Sequence, residues 1–226
     1  MTAQKTDSLV SRLSKLDSCS VSDALDKLGI GGAVIGLPPL TVQQKIAGRV
    51  MTVKLGAPLA DAPKRHLCVG AIMAADPGDV IVIEHRNRLD VAGWGGLLSR
   101  AACRKGIAGV IIDGACRDVD ESRMLGLPVF GRAAVPVTAR GRIAEHDFGK
   151  PITIAGLCVN PGDYVLADGS GVVFVDVARA ETVIAAAESI FAKETLMAEA
   201  VDRGEPLDQV MGANYEDMLK IGGQSR

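Results

Sequence analysis

The chain has 226 residues, of which 48% are hydrophobic and 3% aromatic, and its formal net charge at pH 7 is −2. The apolar content is sufficient for a packed core, which excludes a disordered chain. A near-neutral charge and few aromatic side chains argue against nucleic-acid binding, which needs a basic surface or stacking platforms. The sequence contains no uncharged apolar stretch of about 18 residues, so no membrane span is predicted.

The five cysteines are widely spaced and include no C-x-x-C pair. An odd number of cysteines without short spacings argues against a disulfide framework and against a zinc site. The N-terminal residues lack the apolar segment of a secretion signal. We therefore expect a protein of a reducing compartment, located in the cytoplasm.

Two short helices are predicted at the start of the chain. In the second, Ser20 has the position of an N-cap, apolar residues from Val21 to Leu28 follow at helical spacing, and Gly29 marks the end. Residues 30–40, rich in Gly and Pro, indicate a loop. Further along the chain, strands are predicted at 46–55, 80–84, 107–113 and 127–132, and helices at 65–75, 94–105 and 118–124.

The second half of the chain is rich in predicted strands. Residues 135–177 contain a tight hairpin turn at 168–171, and a long helix is predicted at 178–203. No linker composition divides the chain, which favours a single domain over residues 1–226. The helix at 178–203 then forms a C-terminal extension that could pack on a neighbouring subunit.

Several common catalytic motifs are absent from the sequence. It contains no P-loop, no G-x-G-x-x-G after a strand, no H-E-x-x-H and no G-x-S-x-G. The three histidines are scattered, and each is interpreted as structural or exposed: His66, His85 and His146. Lysines that could form a Schiff base are interpreted as solvated surface residues: Lys45, Lys54 and Lys105.

The helix predicted at 94–105 opens with Gly95 and Gly96. Free backbone N–H groups at a helix N-terminus, together with the helix dipole, form an anion site, and glycine lets a ligand approach closely. The alternative is that the two glycines only permit a tight entry from strand to helix. Taken alone, this feature favours the structural interpretation.

A second candidate feature is the pair Arg117-Asp118, just past the strand predicted at 107–113. Ligands of open α/β sheets bind beyond the carboxyl ends of strands. An arginine there can hold a carboxylate through its planar guanidinium, and an aspartate can hold Mg²⁺, which needs only one or two protein carboxylates. A surface Arg–Asp pair in a polar turn is an equally common interpretation.

The spacing of these two features links them. Twenty residues separate Gly96 from Arg117, which is one helix plus one strand. This path leaves the sheet edge and returns to it, so the helix N-terminus and Arg117-Asp118 are expected on one rim. A small 2-oxo acid would fit there, with its carboxylate on the amides and Arg117 and its 2-oxo oxygen toward a metal on Asp118.

The pattern formed by Gly96, Arg117, Asp118 and Glu121 resembles a family signature, G-x20-R-D-x2-[E/D]. The signature is that of the RraA-like superfamily, which includes the class II 4-hydroxy-4-methyl-2-oxoglutarate and 4-carboxy-4-hydroxy-2-oxoadipate aldolases. The segments at 107–132 and 161–176 are also similar to the family, and the resemblance extends from about residue 20 to 200.

The resemblance implies an α/β fold of the αββα type, in a homotrimer or a hexamer of two trimers with active sites between subunits. It implies that pyruvate is bound by the side chain of Arg117 and by the backbone amides around the helix opening, at Gly95, Gly96, Leu97 and Leu98. It also implies Asp118 as the direct ligand of Mg²⁺ or Mn²⁺, with Glu121 orienting metal-bound water. An acidic residue of a neighbour's C-terminal helix approaches the site in the aldolases, and Glu194 is the nearest match.

The activity implied is cleavage of a 4-hydroxy-2-oxo acid to pyruvate and a second oxo acid, with decarboxylation of oxaloacetate as a side activity. The aldolases often carry Glu where this chain has Gly96 or its neighbour, which leaves the choice of substrate open. One rival is an RraA-type regulator that binds RNase E; that branch lacks the acidic residue present here as Glu121. A second rival is a methyltransferase, which needs a Gly-rich loop after the first strand to bind S-adenosylmethionine. Residues 55–58 provide no such loop.

Overall fold

A computed structural model describes residues 7–58 and 66–212 of the chain. Within these residues the helices are α1 (Ser8–Leu13), α2 (Ser18–Lys27), α3 (Val69–Ala74), α4 (Gly96–Lys105), α5 (Val119–Met124), α6 (Ala180–Asp202) and α7 (Leu207–Val210). The strands are β1 (Ala33–Val34), β2 (Ile46–Gly56), β3 (Val80–Ala92), β4 (Gly109–Cys116), β5 (Val129–Ala134), β6 (Ala144–Phe148), β7 (Ile152–Ile154), β8 (Leu157–Val159), β9 (Tyr164–Ala167) and β10 (Val172–Val175).

The strands β2, β3, β4 and β5 are adjacent and parallel. Helices α3, α4 and α5 connect them in turn, so the predicted β-α-β crossover through α4 is confirmed. The first half of β2 pairs instead with β9, which continues antiparallel to β10 and β1. Because parallel strands end at the same edge, the segments that follow β3 and β4 lie side by side.

Three apolar clusters separate four layers of secondary structure. The first contains Ile112 and lies between the parallel strands and the helices α3–α5. The second contains Ile111 and Val165 and lies between the parallel and antiparallel strands. The third contains Leu166 and lies between the antiparallel strands and α1, α2 and α6. Successive strand residues face opposite layers, and the result is the predicted αββα sandwich.

The C-terminal helix α6 packs on its own chain along its first half. Its buried residues there, which include Val183, Ala187 and Ile190, join α1 and α2 in the third cluster. Beyond Ile190 the helix is mostly exposed, and Leu196 is 65% exposed. Contact of this second half with a neighbouring subunit stays a prediction. No helix within residues 7–58 and 66–212 is long and apolar enough to cross a membrane.

The strand β4 is longer than the sequence predicts. The sequence predicts that the strand ends at residue 113, whereas in the structure it continues to Cys116. A Cβ atom on Gly114 would lie 2.5 Å from Cδ2 of the buried His85 on β3. Gly114 is therefore required for close packing of β4 on β3, and the turn is confined to Arg117 and Asp118.

The starts of two helices also differ from the prediction. The N-cap of α2 is Asp17, whose carboxylate accepts the N–H of Ser20 at 2.7 Å. Ser20, the predicted cap, lies inside the helix and donates its hydroxyl to Asp17. Gly29 has the left-handed conformation expected after a helix. Helix α3 begins at Val69, whereas it was predicted from position 65, which lies outside the described residues.

Candidate active site

Helix α4 begins at the edge of the sheet where the parallel strands end. Gly95 is its extended N-cap residue and Gly96 its first residue, and Gly95 offers no side chain to cap the helix. The N–H of Gly96 donates to Oδ2 of Asp118 at 2.9 Å. The amides of Leu97 and Leu98 belong to the first turn, where N–H groups have no acceptor within the helix. This end of α4 therefore has the features of an anion site.

Arg117 and Asp118 form the whole connection between β4 and α5. The N–H of Arg117 donates to the carbonyl of Trp94 at 2.9 Å, which fixes the connection against the entry to α4. Asp118 has a left-handed backbone conformation, with φ 56°, and is the N-cap residue of α5. Its Oδ2 lies 3.3 Å from Nε of Arg117. The predicted convergence of Gly96, Arg117 and Asp118 is thus present in the structure.

Glu121, in the first turn of α5, lies directly against α4. Its Oε2 is 1.9 Å from the position that a Cβ atom on Gly96 would take. Its Oε1 accepts a hydrogen bond from Nη2 of Arg100 at 2.7 Å. Gly96 therefore makes room for the Glu121 carboxylate, a second role besides opening the helix.

Arg100 is a residue of this site that the sequence analysis did not identify. It lies four residues after Gly96 on α4, so the two residues share one face of the helix. That spacing could have indicated that Arg100 lies near the start of α4. It does not show which carboxylate the guanidinium contacts. The structure shows that its partner is Glu121.

The acidic side chains at this rim suit a hard cation with few protein ligands. Across residues 7–58 and 66–212, no group of three or more His, Cys, Asp or Glu side chains is placed to hold a metal ion. Asp118 uses Oδ2 for Gly96 and Arg117, and its second carboxylate oxygen has no hydrogen-bond partner in the described part of the chain. A single carboxylate fits Mg²⁺ or Mn²⁺ and does not fit the closed four-ligand sets of structural zinc.

Two of the histidines and the three lysines noted in the sequence have partners outside the rim, and His66 is exposed. The ring of His85 is buried and bonded through Nε2 to the carbonyl of Val91 at 2.8 Å, and burial lowers its pKa. His146 is bonded to the carbonyl of Ala57. The three lysines contact groups outside the rim: Lys45 the carbonyl of Leu16, Lys54 the carboxylate of Glu84, and Lys105 the carbonyl of Met73.

Glu194 lies in another layer of the same chain. Burial, followed by the charges of Asp23 and Asp17, raises the pKa of its carboxyl group. Those neighbours place Glu194 near α2, and within one chain it is not brought to the rim formed by α4 and α5. A contribution from a neighbouring subunit stays a prediction.

Known proteins resemble the chain over most of its length. Protein DlpA of Legionella pneumophila is 30% identical over 201 residues, which are 89% of this chain and 33% of DlpA, so the chain spans a third of that protein. The 4-hydroxy-4-methyl-2-oxoglutarate aldolase of Thermus thermophilus is 31% identical over 131 residues, which are 58% of this chain and 76% of that enzyme.

Solved structures show the same fold. An uncharacterized protein from Pseudomonas syringae is 31% identical, with a TM-score of 0.83 and coverage of 91% of this chain and 97% of its own. RraAS2 of Streptomyces coelicolor, of the RNase ES inhibitor RraA protein family, is 27% identical, with a TM-score of 0.76 and coverage of 88% and 98%. Residues 18–174 match the profile of the RraA-like family, described as Aldolase/RraA. This match covers more than half of the chain, and the protein belongs to the RraA-like family.

Proposed function

We propose that the protein is a divalent-metal-dependent aldolase that releases pyruvate from a 4-hydroxy-4-methyl-2-oxoglutarate or 4-carboxy-4-hydroxy-2-oxoadipate type substrate. One observation carries the proposal: Oδ2 of Asp118 lies 2.9 Å from the Gly96 amide and 3.3 Å from Nε of Arg117. Amides, a guanidinium and a carboxylate therefore meet at one rim. The aldolase name of the Thermus thermophilus relative supports this class of reaction.

The substrate is bound by the start of α4 and by Arg117. The amides of Leu97 and Leu98 and the guanidinium of Arg117 hold the carboxylate and the 2-oxo oxygen of the pyruvate part. Both Arg117 and Asp118 have side chains about 40% exposed, so the rim is open to a small molecule. Mg²⁺ or Mn²⁺, held by Asp118, would supply a Lewis acid for the 2-oxo group.

Cleavage breaks the bond between C3 and C4 of the substrate. The electron pair passes to the pyruvate part as an enolate, and Arg117 stabilises the charge that develops on the 2-oxo oxygen. The proton of the 4-hydroxyl group passes through an oriented water molecule to the carboxylate of Glu121, and the second oxo acid leaves. Protonation of the enolate at C3 gives pyruvate. Oxaloacetate forms the same enolate when it loses CO₂, so the same site is proposed to decarboxylate it.

Metal removal tests this proposal. We expect EDTA to abolish oxaloacetate decarboxylation and excess Mg²⁺ or Mn²⁺ to restore it. The reason is that the charge on the enolate requires stabilisation by the cation in addition to Arg117. The measurement is pyruvate release coupled to NADH oxidation, with the uncatalysed metal rate subtracted. Full turnover in EDTA after dialysis against the chelator would exclude a metal-dependent reaction.

Substituting Gly96 by alanine tests the position of Glu121. The new Cβ would lie 1.9 Å from Oε2 of Glu121, so the carboxylate must move. We expect a loss of turnover of about tenfold or more, since small displacements of a catalytic group can have large effects. The free energy of unfolding should change by less than about 1 kcal/mol, because alanine favours the helix and a flexible side chain can shift.

The double variant is the matched control for this prediction. In a Glu121→Ala background, Gly96→Ala should add little further loss of turnover, because the displaced carboxylate is already absent. Equal and independent losses from the two substitutions would show that Gly96 acts through another contact.

We also propose a homotrimer, or a hexamer of two trimers, in which α6 contacts a neighbour. The exposed apolar side chains of its second half and of α7 support this: Leu196, Val201 and Leu207 are 65%, 43% and 58% exposed. Glu194, on the same half of α6, would then approach the neighbour's rim. Sedimentation velocity should give a trimer or hexamer, and a monomer at micromolar concentration would oppose this assembly.

A second candidate function is regulation of an RNase by protein contact. The likeness to RraAS2, of an RNase ES inhibitor family, favours it. The retained Glu121 and its contact with Arg100 favour the enzyme. The two functions separate in one experiment on a single preparation, in which pyruvate release is measured beside inhibition of RNase E. Inhibition without pyruvate release would support the regulator.

A further inference from the structure

Three buried polar side chains lie between α4 and α5, directly beneath the rim. Trp94, Ser99 and Ser122 are 2%, 0% and 1% exposed. The indole Nε1–H of Trp94 donates to Oγ of Ser99 at 2.8 Å, and the two serine hydroxyls are 2.7 Å apart. The hydroxyl groups of Ser99 and Ser122 are not required by apolar packing of the two helices, because alanine would fit both positions. The indole of Trp94 itself belongs to the first apolar cluster.

The hydrogen bonds of this group end on the backbone of the site. Ser99 Oγ lies 3.3 Å from the carbonyl of Gly95, and Ser122 Oγ lies 3.3 Å from the carbonyl of Asp118. Indole is a donor only, so Ser99 must accept from Trp94. Either Ser99 then donates to Ser122, which donates to Asp118, or Ser122 donates to Ser99, which donates to Gly95. Both orders bond the group to the site backbone, and neighbouring bonds in such a chain reinforce each other.

We propose that Trp94, Ser99 and Ser122 form a positioning clamp, which fixes the start of α4 relative to Asp118. This inference rests on the proposed function, which assigns cation and substrate binding to Asp118. The three residues are positioning residues and contact neither ligand. Outer partners of metal ligands typically change metal affinity or activity tenfold to a hundredfold when they are removed.

Trp94 gives the clamp a direct spectroscopic signal. It is the single tryptophan of the chain. Its emission therefore reports on the hydrogen bond with Ser99 without interference from other indoles. Ser122 does not bond the indole directly, because Ser99 lies between them in the chain of hydrogen bonds. An emission shift in Ser122→Ala would therefore be transmitted to Trp94 through Ser99.

The experiment compares Ser122→Ala, Ser99→Ala and the double variant with Ser189→Ala. Ser189 is the control, since its exposed hydroxyl on α6 bonds the carbonyl of Ala185 four residues back, as Ser122 does with Asp118. Mn²⁺ binding is measured directly by the loss of the free-ion electron paramagnetic resonance signal. Trp94 emission is recorded on the same samples, and oxaloacetate turnover is measured separately.

We expect Ser122→Ala to weaken Mn²⁺ binding about tenfold or more and to shift the emission of Trp94. The double variant should be no worse than the stronger single variant, and Ser189→Ala should match the wild type.

A Ser122→Ala protein with wild-type Mn²⁺ affinity and emission would overturn the clamp. If Ser122→Ala does not fold, Ser122→Cys, which keeps the size and a weak donor, is expected to show a smaller shift of the same sign, and wild-type behaviour would again overturn it. A wild-type protein that binds Mn²⁺ but does not release pyruvate would refute the proposed aldolase activity. The clamp would still be tested by the Mn²⁺ affinities and the Trp94 emission of the variants.

Discussion

Asp118→Asn should reduce oxaloacetate turnover by at least about 10²-fold, the scale of a metal ion that contributes several kcal/mol to the transition state. Asparagine keeps an oxygen for the Gly96 amide and accepts the left-handed conformation of position 118, so the fold should be retained. What is lost is the negative charge that holds the cation beside Arg117. Turnover at a fixed, subsaturating Mn²⁺ concentration and direct Mn²⁺ binding should therefore fall together.

Asp120→Asn is the matched control for this substitution. Asp120 lies on the same short helix, is 86% exposed and pairs with Arg123, outside the rim. Its replacement should leave turnover within about twofold of the wild type, as expected for a surface pair of small energetic weight. Normal turnover in Asp118→Asn would remove this carboxylate from the proposed site.

Arg117→Ala is expected to lower kcat by about 10²–10³-fold, the range found when one preorganised donor to a developing oxyanion is removed. Mn²⁺ affinity should change far less, because Asp118 keeps its carboxylate. Arg117→Lys should give an intermediate rate, since an ammonium keeps the charge and loses the planar fork. The measurement is kcat and half-saturating Mn²⁺ concentration for both variants.

Arg104→Ala controls for the removal of a positive charge near α4. Arg104 is exposed in the last turn of that helix, away from Gly96. It should leave kcat unchanged, so a comparable loss in Arg104→Ala and Arg117→Ala would mean that net charge, and not the position of Arg117, determines the rate.

The central part of the fold could be predicted because its signals are local. A helix opened by Gly95-Gly96 and closed by Gly106, followed by a continuous apolar strand, predicts one β-α-β unit. The unit returns to the sheet edge after a fixed length, so Gly96 and Arg117 had to lie near each other. This is why the spacing predicts the proximity of Gly96 and Arg117-Asp118 that the structure shows.

Other features could not be predicted because they depend on tertiary contacts. The strand β3 extends past His85 through an irregularity in its pairing with β4, where Arg86 and Asn87 take left-handed conformations, which arginine rarely adopts. The end of β4 depends on the packing of Gly114 over His85. The contact between Arg100 and Glu121 joins residues 21 apart on two helices, and no local pattern specifies it.

Crystals soaked with MnCl₂ and pyruvate provide the most direct test of the central claim, that Asp118 and Arg117 jointly bind a cation and a 2-oxo acid. An anomalous difference map identifies Mn²⁺ without assumption about its ligands. The predicted result is one peak in contact with the Asp118 carboxylate, with pyruvate between it, Arg117 and the amides that open α4. A peak at another position, or pyruvate bound away from Arg117 in a preparation that is active with Mn²⁺, would contradict the account.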